Sequence, residues 1–160
     1  MKTSTKLKIG VAVVLVIFQL IYSSVYKVDE NEQVIVTRFG AIRKGPITKP
    51  GYHFKFLEFD QVKRFPTSEI LTETQFDPCL HELGIKGATV KWVITDPIEF
   101  YKRIGQPERI PVYLNYLLSA NYCREAEDKT DAFDPSDASR FLEAESAKCG
   151  ITISRIWFDR

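Results

Sequence analysis

The sequence is poor in the residues from which catalytic centres are usually built. Its only histidines are His53 and His81, so any imidazole-dependent mechanism would have to run through one of them. No GxGxxG, Walker loop, GxSxG or HExxH occurs, and no nucleophile or carboxylate pair stands in a recognisable local frame, so the chain is expected not to be an enzyme. Cysteine is scarce too. Cys79, Cys123 and Cys149 show no CxxC spacing and imply no disulfide framework; they read first as three buried small apolar residues. In an oxidising compartment one pair can bridge and leave the third free, and the sequence does not choose the pair. Cys79 and His81 form C-x-H, but a zinc site takes three or four protein ligands and no second local pair accompanies them. His53 follows a turn on a short strand, where alternation makes it a packing or solvent-facing residue.

An excess of one charge is also missing. The 160 residues carry a formal net charge of +1, with 44% hydrophobic and 27% charged side chains, which are the values of one ordinary globular domain with its own core. Beyond residue 26 there are 19 basic against 21 acidic residues, a net charge of about −2, with the two signs interspersed. A nucleic-acid partner is excluded on that ground, because it needs Lys and Arg gathered on one element. The acidic cluster Glu125, Glu127, Asp128, Asp131, Asp134 and Asp137 lacks the glycine and the alternating oxygens of a calcium loop, and reads as a solvated helix end. No cofactor or metal is expected.

What the sequence does have begins with IGVAVVLVIFQLIYSSVY, Ile9 to Tyr26, free of charge and about 27 Å long as a helix. A membrane anchor is expected here, carried by Ile9, Val14, Leu15, Ile17, Phe18, Leu20 and Ile21. Lys2, Lys6 and Lys8 precede the run and Asp29, Glu30 and Glu32 follow it, so the positive-inside rule puts the N-terminus in the cytoplasm and the rest outside a plasma (inner) membrane crossed once. Tyr22 and Tyr26 suit an interfacial belt. The competing reading is a cleaved signal peptide on a secreted binding domain, which the bulky residues around Ser23 and Ser24 oppose because they leave no small-x-small cleavage site. The division is therefore 1–26 for the tail and anchor and 27–160 for the folded domain.

In that domain Glu32–Phe39 is dense in β-branched residues and reads as a strand ending at Gly40. Gly45-Pro46 and Pro50-Gly51 are breakers. Short strands are expected over Tyr52–Phe56, Asp60–Phe65 and Glu69–Thr74. Ile85–Thr95 alternates so that Ala88, Val90, Trp92 and Ile94 share a core face. At Asp96-Pro97 the period changes: Asp caps, Pro fits the first turn, and a short helix carrying Ile98 and Tyr101 runs to Gly105. Ile110, Leu114, Leu117 and Leu118 make Pro107 to about Lys129 the longest amphipathic helix, with Pro111 in its first turn. A third helix, Ser136–Cys149, is stopped by a left-handed Gly150, and ITISRIWF closes the chain as a strand. Strands, then helices, then a strand indicate an α+β domain with a largely antiparallel sheet. Basic Arg38, Arg43, Lys44 and Lys49 follow the anchor and read either as lipid-phosphate contacts or as ordinary exposed strand and turn residues.

The run VDENEQVIVTRFGAIRKGPITKPGYHFKF, then VKWVITDPIEFYKRIG, then GITISRIWFDR resembles the SPFH or band-7 family, the prohibitin-like proteins, and within it the HflC-type modulators of a membrane AAA+ protease. The resemblance is carried by Glu32 with Arg38-Phe39-Gly40, by Pro50-Gly51 with His53, by Trp92 with Asp96-Pro97 and Tyr101, and by Gly150 opening the last strand. It implies a β-rich first subdomain and an α/β second one, no catalytic site, and a scaffold organising a membrane microdomain or modulating an FtsH-type protease. It implies as partners the lipid bilayer, an HflK-like paralogue and that protease, in a homo- or hetero-oligomer. The sequence departs from the family in a short, acidic Tyr122–Arg140 stretch and in the absence of a heptad arm after Ile151–Phe158, so the chain alone is expected to form monomers or small oligomers.

Overall fold

A computed structural model describes residues 2–56, 59–123 and 134–159, the side chains of residues 2–7 excepted. The chain forms two compact units, Met1–Arg64 and Phe65–Arg160. Strands and helices together give the α+β class that the order of sequence patterns indicates.

The first unit opens with α1, Lys2–Ser23, followed by β1 (Val25–Val28), β2 (Glu32–Arg38), β3 (Ala41–Ile47), β4 (Gly51–Phe54) and all but the last two residues of β5 (Asp60–Pro66). The described apolar residues of α1 are exposed, and Val14, Leu15, Val16, Ile17 and Phe18 follow one another, so every face of the helix is apolar. Among the described residues no helix is long and apolar enough to cross a membrane. The helix ends earlier than the uncharged run does. Ser23 and Ser24 each donate a side-chain hydrogen bond to the Leu20 carbonyl, at 3.1 and 2.8 Å, and the β-branched residues beyond them turn into β1. Tyr26, which the sequence suggested for an interfacial belt, is instead 7% exposed within a core of Val28, Val34 and Val36, with Ile47 and Val62 packed against it.

β1 pairs antiparallel with β4, and β2 lies between β3 and β5 in a second sheet. That central position explains why Gln33 to Thr37 are all buried, on both faces of the strand. Gly45-Pro46, expected to break the chain, lies inside β3. The register steps from Val34↔Ile47 to Val36↔Lys44, a bulge that absorbs the dipeptide and its cis peptide bond, and an edge strand tolerates a residue without an N–H.

The second unit has β6 (Ile70–Gln75), α2 (Pro78–Glu82), β7 (Gly87–Ile94), α3 (Pro97–Arg103), α4 (Ile110–Leu118), α5 (Pro135–Ala147) and β8 (Ile151–Asp159). Its sheet runs β6-β7-β8, antiparallel throughout. Ala88, Val90, Trp92 and Ile94 form the buried face of β7, as their alternation predicts. Trp92 stacks on Phe100, whose ring meets Phe65 edge-on at 5.5 Å, and burying a side chain such as Phe100 contributes about 2–3 kcal/mol. α4 packs on β6 and α5 on β8.

Two helical expectations are revised. The long helix is a 3-10 turn at Pro107–Arg109, then α4, then a π-helical turn at Ser119–Cys123; its expected remainder, residues 124–129, lies outside the described residues. α2 has no counterpart in the periodicity, since one turn is too short to show any. Of the acidic cluster, Asp134 caps α5 by accepting from the Ser136 N–H at 2.8 Å and Asp137 pairs with Arg140, while Glu125, Glu127, Asp128 and Asp131 lie outside the described residues.

Candidate functional site

The motif residues of the first unit converge on the strands that continue α1. Only Ser24 separates the helix from β1, and the Lys55 N–H donates to the Ser24 carbonyl at 2.8 Å, closing β4 against the helix end. The register Val25↔Phe54, Tyr26↔His53, Lys27↔Tyr52 then fixes two faces. Tyr26 and His53 turn inward and stack with ring centroids 5.8 Å apart, while Tyr52 and Phe54 stand exposed beside Lys27. A groove of about 370 Å³ runs between the last turn of α1 and this ribbon, walled by Phe18, Ile21, Tyr22, Val25 and Tyr52. The role of Pro50-Gly51 with His53 is local: the His53 imidazole Nε2 lies 2.8 Å from the Lys49 carbonyl and ties the strand to the turn that contains the dipeptide.

Glu32 and Arg38 each fasten β2 to a distant part of the unit. Glu32 accepts from the Asp29 N–H at 2.9 Å and pairs with Arg64, which also donates to the Lys27 carbonyl at 2.9 Å, so one carboxylate braces the β1–β2 turn against β5. Arg38 Nε donates to Asp60 Oδ1 at 2.7 Å, and Asp60 Oδ2 accepts from the Phe56 N–H at 2.8 Å. The Arg38 hydrogen bond, with that of the Phe56 amide, holds the Asp60 carboxyl below the usual carboxylate range. The Arg38 guanidinium also lies over the Phe56 ring, 5.2 Å from its centroid.

Next to Arg38 the β2–β3 hairpin turns on Phe39-Gly40, both with positive φ, the geometry of a two-residue type I′ turn. Gly suits that conformation. A phenylalanine does not, and Phe39 holds it at φ 51° with its ring 84% exposed and 5.9 Å from the ring of Phe59. Phe54, Phe56, Phe59 and Phe39 are all exposed aromatic residues of this unit: Phe54 stands opposite Val25 just after α1, Phe56 lies under Arg38, and Phe39 at the hairpin tip meets Phe59. Arg43, Lys44 and Lys49 are exposed on β3 and the turn after it. Exposed rings and exposed cations are residue types suited to boundaries between apolar and aqueous surroundings, including protein contacts.

The motif residues of the second unit are structural. Trp92 is 1% exposed and its Nε1 donates to Thr72 Oγ1 at 2.9 Å. Asp96 caps α3 by accepting from the Ile98 and Glu99 N–H groups, Pro97 occupies the first turn, and Tyr101 is half buried on the same helix. Gly150 lies against Asp96. Cys79 is bonded to Cys123 and Cys149 alone is a free, buried thiol, which corrects the reading of three buried thiols and removes the Cys79 sulfur from any metal set. His81 Nε2 lies 3.2 Å from the Lys86 carbonyl. Among the described residues no group of three or more His, Cys, Asp or Glu is placed to hold a metal ion.

Reading the sequence locally missed Asp60, Arg64, Phe56 and Phe59. The alternation Tyr52, Phe54, Phe56, with polar or basic residues between, was the available signal for the exposed aromatic side of β4. The sequence pattern of the SPFH domain / Band 7 family matches residues 26–130, more than half of the chain, from β1 through the end of α4 and beyond. No curated protein matches the chain.

Proposed function

Because the chain belongs to the SPFH domain / Band 7 family, we propose that it is a non-enzymatic scaffold held at a membrane by α1, with both folded units on the extracytoplasmic side. The family is broadly one of scaffolds associated with membrane microdomains, and is generally non-enzymatic. The observation that carries the reading is the direct passage from α1, apolar on every face, into a unit with the exposed rings of Phe54, Phe56, Phe59 and Phe39. The uncharged part of α1 after Lys8, residues 9–23, extends about 22 Å as a helix, so the anchoring reading has the lysine side chains before it reach out to the headgroups. Its C-terminal end then sits at the headgroup level and brings those rings and Arg38 with it.

In the finer form of the proposal the chain is HflC-like: it joins an HflK-like paralogue and restrains or directs an FtsH-type membrane AAA+ protease. The run of motif residues from Glu32 to Gly150 supports that form. Carbonate washing of native membranes, with the mass of the mature chain, tests the anchor. Retention of residues 1–26 in the washed pellet is expected, and a soluble product lacking them would establish the secreted binding domain instead. Co-purification after mild solubilisation tests the partners: recovery of a paralogue and an AAA+ protease is expected, and recovery of neither in stoichiometric amount overturns the HflC-like form.

A further inference from the structure

The second unit carries a covalent bond whose chemistry restricts where it can form. Cys79 is bonded to Cys123, 44 positions away, with Cα atoms 6.1 Å apart. Cys79 belongs to α2, a five-residue helix that nucleation cost alone would leave unformed. Three further features seat that helix: Leu80 is fully buried, the Asp77 N–H donates to Asn115 Oδ1 at 3.1 Å, and Ser119 Oγ donates to Asp77 Oδ2 at 3.1 Å. Cys123 ends the π-helical turn that prolongs α4, so the bridge fastens the β6–β7 connection to the same stretch of α4 and its turn that Asp77 reaches at Asn115 and Ser119. Both bridged cysteines are half buried and open to a reagent. The third, Cys149, is buried with its Sγ 2.9 Å from the Tyr113 hydroxyl, which keeps it out of exchange with the other two.

We infer that Cys79 and Cys123 are an oxidative modification site, closed by a disulfide-bearing oxidant in an oxidising extracytoplasmic compartment, and that the closed bridge adds to the stability of the second unit. Cytoplasmic thiol pools hold such a pair reduced. The inference deepens the proposed topology, since the compartment is the one into which α1 would deliver the domain. One cysteine loses its proton and its thiolate attacks a sulfur of the oxidant's disulfide, forming a mixed disulfide and releasing the oxidant's other sulfur as a thiolate. The second cysteine, also deprotonated, attacks the protein-side sulfur, forming the Cys79–Cys123 bond and releasing the oxidant's remaining thiolate. Two protons and two electrons leave the protein, and the oxidant ends as a dithiol.

The test uses the full chain in membranes of its own host, lysed directly into denaturant with iodoacetamide and mapped by peptide mass. Without reductant, alkylation at Cys149 alone is expected, with the Cys79 and Cys123 peptides recovered linked; after reductant, all three alkylate. Alkylation of Cys79 and Cys123 without reductant overturns the inference. Carbonate washing of the same membranes separates the two claims. A chain retained in the pellet with three free thiols sinks the oxidation and leaves the scaffold, whereas a bridged chain washed free does the reverse. On the purified full chain, reductant should lower the thermal midpoint by about 5–10 °C, and should leave a Cys79→Ser/Cys123→Ser variant unchanged. An equal fall in that variant, or no fall in the parent chain, counts against a bridge that holds the unit together.

Discussion

Gly150 lies against Asp96, with its carbonyl oxygen accepting the N–H groups of both Thr95 and Asp96, at 2.9 and 3.0 Å. A Cβ on Gly150 would stand 2.2 Å from the Asp96 carbonyl oxygen, and its φ is +72°. The glycine that ends the last helical segment and the aspartate that starts α3 therefore form one joint at the end of the β7–β8 pair where β7 finishes and β8 begins. Asp96→Ala removes the cap of α3 and should cost about 1 kcal/mol. Gly150→Ala meets both left-handed strain and a backbone overlap, and should cost more than about 2 kcal/mol. Urea unfolding of the two single variants and the double variant checks this: the two losses should fail to add, because the sites touch.

Asp60 gives the first unit a pH dependence of known sign. Its carboxyl is held below the usual range by Arg38 and then by the Phe56 amide, so folding favours the ionised form. The stabilisation is complete above the ordinary aspartate value of about 3.9 and is lost as pH falls through the lowered one. Other carboxylates titrate in the same range, so the contribution is read as a difference. Stability of the parent chain should fall more steeply between pH 5 and pH 2 than that of Asp60→Asn, and parallel curves would show that the Arg38 pair contributes nothing.

Tyr26 and Ser146 carry buried hydroxyls with no hydrogen-bond partner among the described residues. A buried polar group left unpaired is a net cost that an apolar replacement of similar shape relieves. Tyr26→Phe and Ser146→Ala should each raise stability, by about 1 kcal/mol. A fall in the thermal midpoint of either variant would reveal a partner for that hydroxyl in solution.

Phe39 separates stability from function. Asparagine accepts a positive φ more readily than phenylalanine and the ring is exposed, so Phe39→Asn should stabilise the hairpin by about 0.5–1 kcal/mol. The same position should face lipid. Phe39→Cys carrying a polarity-sensitive fluorophore, in the full chain reconstituted into phospholipid vesicles, is expected to emit as in an apolar medium and to be quenched by spin-labelled lipid. Water-like emission without quenching would remove the hairpin tip from the membrane surface.

The proposed topology rests on Lys2, Lys6 and Lys8 before the apolar run and Asp29, Glu30 and Glu32 after it. A reporter that works only outside the cytoplasm, fused after Arg160, should be active. Activity of a cytoplasm-only reporter at the same place would reverse the orientation.

The sequence by itself determined what depends on neighbours along the chain. Alternation placed Ala88, Val90, Trp92 and Ile94 on one face of β7, Asp96-Pro97 opened α3, Ile110, Leu114 and Leu118 set the buried side of α4, and Gly150 ended the helical part. Each is a local preference of backbone or burial, legible within a few residues. It also supplied the separate motif pieces whose order marks the family, and the apolar run of α1. Tertiary structure alone decided which pieces meet. Arg38 finds Asp60 22 positions on, Glu32 finds Arg64 32 positions on, and Cys79 bonds to Cys123, 44 positions on, rather than to Cys149, only because α2 is folded back onto the turn after α4. It likewise decided that Tyr26 is buried while Phe39 is exposed, although both are aromatic residues in or beside strands. No periodicity carries such facts, because they arise when chain closure brings remote residues within hydrogen-bond or covalent reach, and that closure is selected by the packing of the whole core.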